Sequence, residues 1–318
     1  MFICSILKKG KCWRNMMTMK MYKILFIFLI LPFSFTAFSQ QTDLVRIEYT
    51  YFPQKNSDNS FRRSRAIGAF PIRLKKEGSY LVPSLEYRNV HFKYKDPEVF
   101  DTSDLDRFQS FTVTLGYTFK MKNDWRFGAE TGVKIASNFS QGHIISDDLI
   151  YTGTVLFVKT KEDPVNDDAS RLILGLRYST TAGFPFPLPI VNYYKRWDEK
   201  WSYAIGTPKS NLKYYFNSRH EMQAFVTLDG FFANIQENFD ATPSNTGNDN
   251  IAENISMTIV LSGLGYEFSF TDHLKFYIYG GHTLRNDIRL RDSNQDDVYT
   301  INETNTFYGR SGIKFTIF

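Results

Sequence analysis

The sequence predicts an all-β chain, a single antiparallel transmembrane β-barrel of about 14 strands with short periplasmic turns and long external loops. Three observations carry this. From Gln109 to Met121 alternate residues are apolar, Phe111, Val113, Leu115, Tyr117 and Phe119, and those between them are polar or small. That is the period of a strand with one oily and one wet face. After a polar turn at Lys122, Asn123 and Asp124 the alternation resumes through Trp125, Phe127, Ala129, Thr131, Val133 and Ile135. The result is a hairpin over 108–136 whose limbs, about a dozen residues each, suit a tilted strand crossing a bilayer. Composition agrees: aromatics make up 17%, with 30 Phe and 19 Tyr, yet mean hydropathy is only −0.32. A barrel reconciles the two, because its lipid-facing positions are apolar and every second residue faces the lumen.

At the N-terminus, Lys20 and Lys23 precede an apolar run from Ile24 to Phe38 that ends at Ala37, Phe38 and Ser39. This reads as a secretory signal peptide cleaved after Ser39. Pro32 and the shortness of the run argue against a membrane anchor. The residues before Met19 read as an over-extended start. The chain therefore divides into 1–39, start and signal, and 40–318, one barrel domain. Taking 39 residues from 318 leaves 279, ample for one large β domain. Taking the six Lys and Arg of the leader from the total of 38 leaves 32 basic against 33 acidic residues, a net of −1. Nothing in that balance suggests nucleic acid. Both cysteines, Cys4 and Cys12, also lie in the leader, so neither a disulfide scaffold nor a cysteine metal site is expected.

In chain order, strands are expected over 44–52, 65–74, 80–92, the two limbs of the hairpin, 150–159, 171–179, 190–197, 201–206, 211–217, 220–235, 255–270, 274–284 and 306–318. The cluster Arg62, Arg63 and Arg65 is read as the end of a polar loop. The Pro-rich stretch 183–189 cannot form ladder and is read as a stiff cap-like connector. With an inner N-terminus, the short turns after Leu74, Lys120, Trp197, Asn217 and Phe270 fall on one side and the long loops on the other, as in outer-membrane barrels. The segment 161–170 is long on the short side. If two of the weaker central strands are one, the count is 12.

The segments Pro189–Lys195, Ile205–Phe216 and Leu228–Phe232 are the residues on which the chain resembles a domain-of-unknown-function family of Gram-negative outer-membrane β-barrels. The resemblance implies a bacterial outer-membrane location, contact with lipid and lipopolysaccharide, and assembly by the barrel-assembly machinery, which would recognise the terminal Phe318. It supplies no activity.

On the wet faces lie Glu86, Arg88, Arg126, Glu130, Lys134, Arg177 and Glu267. They are expected to line the lumen, either as a paired network that stiffens the interior or as a selectivity lining for a small solute. Asp292, Asn294, Asp296, Val298, Thr300 and Glu303 have calcium-loop spacing, but Asp297 stands where such a loop needs glycine and no helices flank it. A solvated acidic loop is the expectation there, with no metal and no cofactor. The five histidines show no partnered motif and no nucleophile elbow is present, so no enzyme is expected. The function expected is a narrow pore or small-solute transport barrel. The competing class is a closed structural or surface-interaction barrel.

Overall fold

Alternation of lipid-facing and lumen-facing residues produces strands, and their sequential antiparallel pairing produces a closed ring. The computed structural model describes residues 43–55, 59–95, 101–163, 168–180, 187–241 and 250–316. The signal segment 1–39, the Pro-rich residues 181–186 and Phe318 lie outside them. The strands are β1 (Asp43–Pro53), β2 (Ser60–Ala69), β3 (Ile72–Arg73), β4 (Tyr80–Lys93), β5 (Arg107–Lys120), β6 (Trp125–Ser137), β7 (Leu149–Asp163) and β8 (Asp168–Ser179). There follow β9 (Leu188–Arg196), β10 (Trp201–Gly206), β11 (Lys209–Tyr215), β12 (His220–Asp240), β13 (Ile251–Ser269), β14 (Leu274–Arg291), β15 (Asp297–Asn302) and β16 (Phe307–Thr316).

Fourteen of these close the barrel. Neighbours along the chain pair antiparallel, and β1 pairs with β16 to join the ends, with Glu48 opposite Gly312 and Tyr51 opposite Gly309. The two strands off the ring are short: β3 continues β2 past the break at Phe70 and Pro71, and β15 is the return limb of a hairpin on β14. The four central strands β8–β11 are separate, which decides for 14 rather than 12.

The opening hairpin forms as its pattern predicts, with Val113 opposite Val133 and Phe111 opposite Ile135. Its turn uses Asn123 and Asp124 at φ of 56° and 62°. Asn and Asp tolerate this left-handed region, which suits the primed turns of twisted hairpins. The outward rows are apolar and exposed, as a surface in lipid must be: Ile47 is 62% and Val113 58% exposed.

Four expectations need correction. β9 begins at Leu188 and pairs Leu188 and Pro189 with Arg177 and Leu176, so the end of the stretch 183–189 is strand, its proline tolerated at the start of the ladder. β2 begins at Ser60, so Arg62 and Arg63 are strand residues and not loop, and Arg65 lies within the strand rather than at its start. β7 and β8 pair out to Asp163 and Asp168, so the connection expected over 161–170 is cut to the four residues between them. The stretch 286–305 is not a loop throughout, because β14 runs on to Arg291 and β15 pairs back onto it. No helix among the described residues is long and apolar enough to cross a membrane.

Candidate functional site: the divided lumen

The ends of β10 and β11 set the shape of the interior. These strands turn at Thr207 and Pro208, while β12 continues to Asp240. β11 covers β12 only over Glu221–Thr227, and the last bond on that side runs from the Leu228 N–H to the Pro208 carbonyl, at 2.9 Å. Beyond this point the edge of β12 facing away from β13 has no wall strand to pair with. An unsatisfied backbone edge away from water is costly.

β6, six strands away round the ring, resolves that cost. Asn234 of β12 pairs with Ser137 of β6 in parallel. The free-edge carbonyls are taken in succession. Arg88 donates to Gly230 O at 2.9 Å and Lys134 Nζ to Phe232 O at 2.8 Å. Ser137 Oγ and the Asn138 N–H both reach Asn234 O, at 3.3 Å, and Ser140 Oγ reaches Gln236 O at 3.4 Å. On the same side Asp148 accepts from Asn234 Nδ2 at 2.9 Å and from Gln236 Nε2 at 2.7 Å. The loop-end half of β12 is thus a partition across the barrel.

One compartment, bounded by β12, β13, β14, β16, β1, β2, β4, β5 and β6, is filled. At its loop end Phe52, Phe61, Phe92, Phe108, Ile235, Ile255, Ile288 and Leu290 are buried in one cluster. Phe52 stacks on Phe61 with centroids 4.2 Å apart, and Phe92 meets Phe108 edge-on at 6.2 Å. Below this cluster the charges are paired. Asp229 accepts from both terminal nitrogens of Arg63, at 2.7 and 2.6 Å, and from Arg310 at 2.8 Å. Glu267 accepts from Lys314 at 2.7 Å, Gln223 at 2.6 Å and the Tyr279 hydroxyl at 2.5 Å. Glu221 takes Lys213 at 3.1 Å and Lys275 at 3.3 Å, and Tyr277 donates to Glu48 at 2.9 Å. Small residues make room for the rings. A Cβ at Gly265 would stand 2.4 Å from the Tyr279 ring, and one at Gly312 would stand 2.6 Å from the Tyr277 hydroxyl.

The other compartment lies between the partition and the wall β6–β11. Its inward rows, read from the pairing register, include Gly128, Glu130 and Gly132 of β6, Thr152 and Thr154 of β7, Arg171 and Arg177 of β8 and Asn192 of β9. Glu130, Thr154 and Arg177 share one row. Glu130 and Arg177 face inward and are nonetheless exposed, which requires open space beside them.

All seven lumen candidates lie on inward rows, and they divide into three groups. Glu86, bonded to Arg65 at 2.8 Å and to Arg88, and the buried Glu267 belong to the paired network. Arg88 and Lys134 hold the partition. Arg126, which donates to Gly78 O at 2.9 Å, Glu130 and Arg177 line the open compartment. Missed from sequence were Asp229, Arg63 and Arg310, the centre of the clamp. Asp229 continues the inward row Glu221, Gln223, Phe225 and Thr227, so counting by two would have found it. Arg63 was lost to the misplaced start of β2.

The calcium-like spacing falls on a hairpin. Asp297 opens β15 and its carboxylate meets Arg289 and Arg291, while Asp292 Oδ1 accepts the Asp296 N–H at 2.9 Å. The histidine rings meet backbone carbonyls, except His220, which lies 2.5 Å from the Tyr266 hydroxyl. No group of three or more potential metal ligands occurs among the described residues.

No curated protein matches the sequence. Among solved structures, the chain is similar to the NanC porin, with 11% identity, a TM-score of 0.38, and coverage of 85% of this chain and 98% of that one. It is similar to the COG4313 outer membrane channel from Pseudomonas putida F1, with 11% identity, a TM-score of 0.38, and coverage of 91% and 100%. LpxR from Salmonella typhimurium is matched at 8% identity and a TM-score of 0.37, with coverage of 85% and 99%. Likenesses at this level identify no function. Residues 46–316 match the family described as Domain of unknown function (DUF6268), and the chain belongs to that family.

Proposed function

We propose that this protein is a narrow outer-membrane pore that passes a small solute through the compartment between β12 and the wall β6–β11. The observation that carries the reading is that Glu130 and Arg177 point into the barrel and are still exposed. On the filled side, charges are buried in pairs or apolar side chains fill the space. A polar row of threonines beside an open space favours water and polar solutes over hydrocarbon. Export of the chain through segment 1–39, insertion among outer-membrane lipid and lipopolysaccharide, and assembly by the barrel-assembly machinery belong to the same reading.

The filled compartment supports a second reading, a closed structural or surface-interaction barrel. Purified protein in planar bilayers separates the two. Discrete conductance steps are expected from the pore. A fully folded barrel that inserts and gives no steps is the closed form.

A further inference from the structure

The charges of the interior are unevenly distributed. On the filled side every carboxylate of the clamp and of the network below it meets a cation, and those cations meet carboxylates in return. The open compartment is different. Arg126, Arg171 and Arg177 face it, with Lys134 on its seam, and Glu130 is the one acid beside them among the residues whose side chains are described. None of these four cations forms a salt bridge with a carboxylate among the described residues. Arg126 and Lys134 donate to backbone carbonyls. Such bonds satisfy donors without supplying a counter-charge in contact. The cations are also spread along the passage: Arg126 and Arg171 lie toward the turn ends of β6 and β8, and Lys134 and Arg177 toward their loop ends.

Resting on the pore reading above, we propose that the passage between β12 and β6–β11 selects small anionic solutes, carboxylates or phosphates, over cations. A narrow channel with walls of low dielectric focuses the field of its lining charges, so an excess of one sign raises the local concentration of the opposite ion and lowers its entry barrier. Guanidinium groups add planar donors matched to carboxylate and phosphate oxygens. Glu130, on the row of Arg177, opposes this preference.

The test is the reversal potential of the purified full barrel in planar bilayers under a KCl gradient. A chloride-over-potassium permeability ratio above unity is expected. Arg171→Gln with Arg177→Gln should lower the ratio by at least about threefold, and Glu130→Gln should raise it. Replacing chloride on one side by acetate or by phosphate then ranks the two anion classes. A conducting barrel that prefers potassium, or whose ratio the arginine variants leave unmoved, overturns the inference and leaves the pore reading standing. Absence of conductance overturns both.

Discussion

Asp229 holds β12 where that strand leaves the wall, and Asp229→Asn tests the clamp. The carboxylate takes three bonds of 2.6 to 2.8 Å from Arg63 and Arg310. Its side chain is 12% exposed and that of Arg63 only 2%. Asparagine retains one acceptor oxygen and turns an amide donor toward guanidinium donors, so Arg63 loses its counter-charge while remaining out of water. Removing one member of a buried pair costs about 3–5 kcal/mol, because the surviving charge stays desolvated. An exposed pair would cost about 0–1 kcal/mol. Reversible urea unfolding of the barrel in phospholipid vesicles, followed through the fluorescence of Trp125, Trp197 and Trp201, should therefore show a loss of about 3–5 kcal/mol. Arg63→Met combined with Asp229→Leu should recover part of it, with Arg310 left on Thr50 Oγ1, its 3.0 Å partner. A loss below about 1 kcal/mol for Asp229→Asn would mean that water reaches the pair, and the partition would then need another anchor.

Other perturbations address the rest of the architecture. Val113→Arg or Val133→Arg places a charge on the outward face of the opening hairpin at a cost of about 2–4 kcal/mol near mid-bilayer; the heat-modifiable folded band on gels should weaken, and normal assembly of both variants would reverse the assigned faces. Lys134→Met leaves the Phe232 carbonyl without its donor, a penalty of about 1–3 kcal/mol, so β12 should detach more often from β6 and bilayer recordings should show larger or noisier steps than wild type. Gly312→Val sets a Cβ 2.5 Å from the Ile47 carbonyl and crowds Tyr277; urea unfolding should show about 1–3 kcal/mol lost to overpacking.

What the sequence determined by itself is the barrel. A strand's faces depend on residues two apart, so Phe111, Val113 and Leu115 against Thr112, Thr114 and Gly116 declare one wall of a membrane barrel without reference to anything distant. Strand number followed from the same local signal, and the inward parity of Glu86, Arg126 and Glu267 came with it. The division of the lumen could be decided only by the tertiary structure. Whether an inward charge is paired, anchoring or free depends on what stands opposite it. Arg63 meets Asp229 across 166 positions of sequence, and Ser137 meets Asn234 across 97. Nothing near Arg62, Arg63 and Arg65 announces a partner, so their charge reads as solvation and the strand is started too late. Likewise, Lys134 and Arg177 look equivalent on their strands. β12 separates them, because β11 ends at Lys209, short of its neighbour, and a strand edge deprived of its partner must find hydrogen bonds across the barrel.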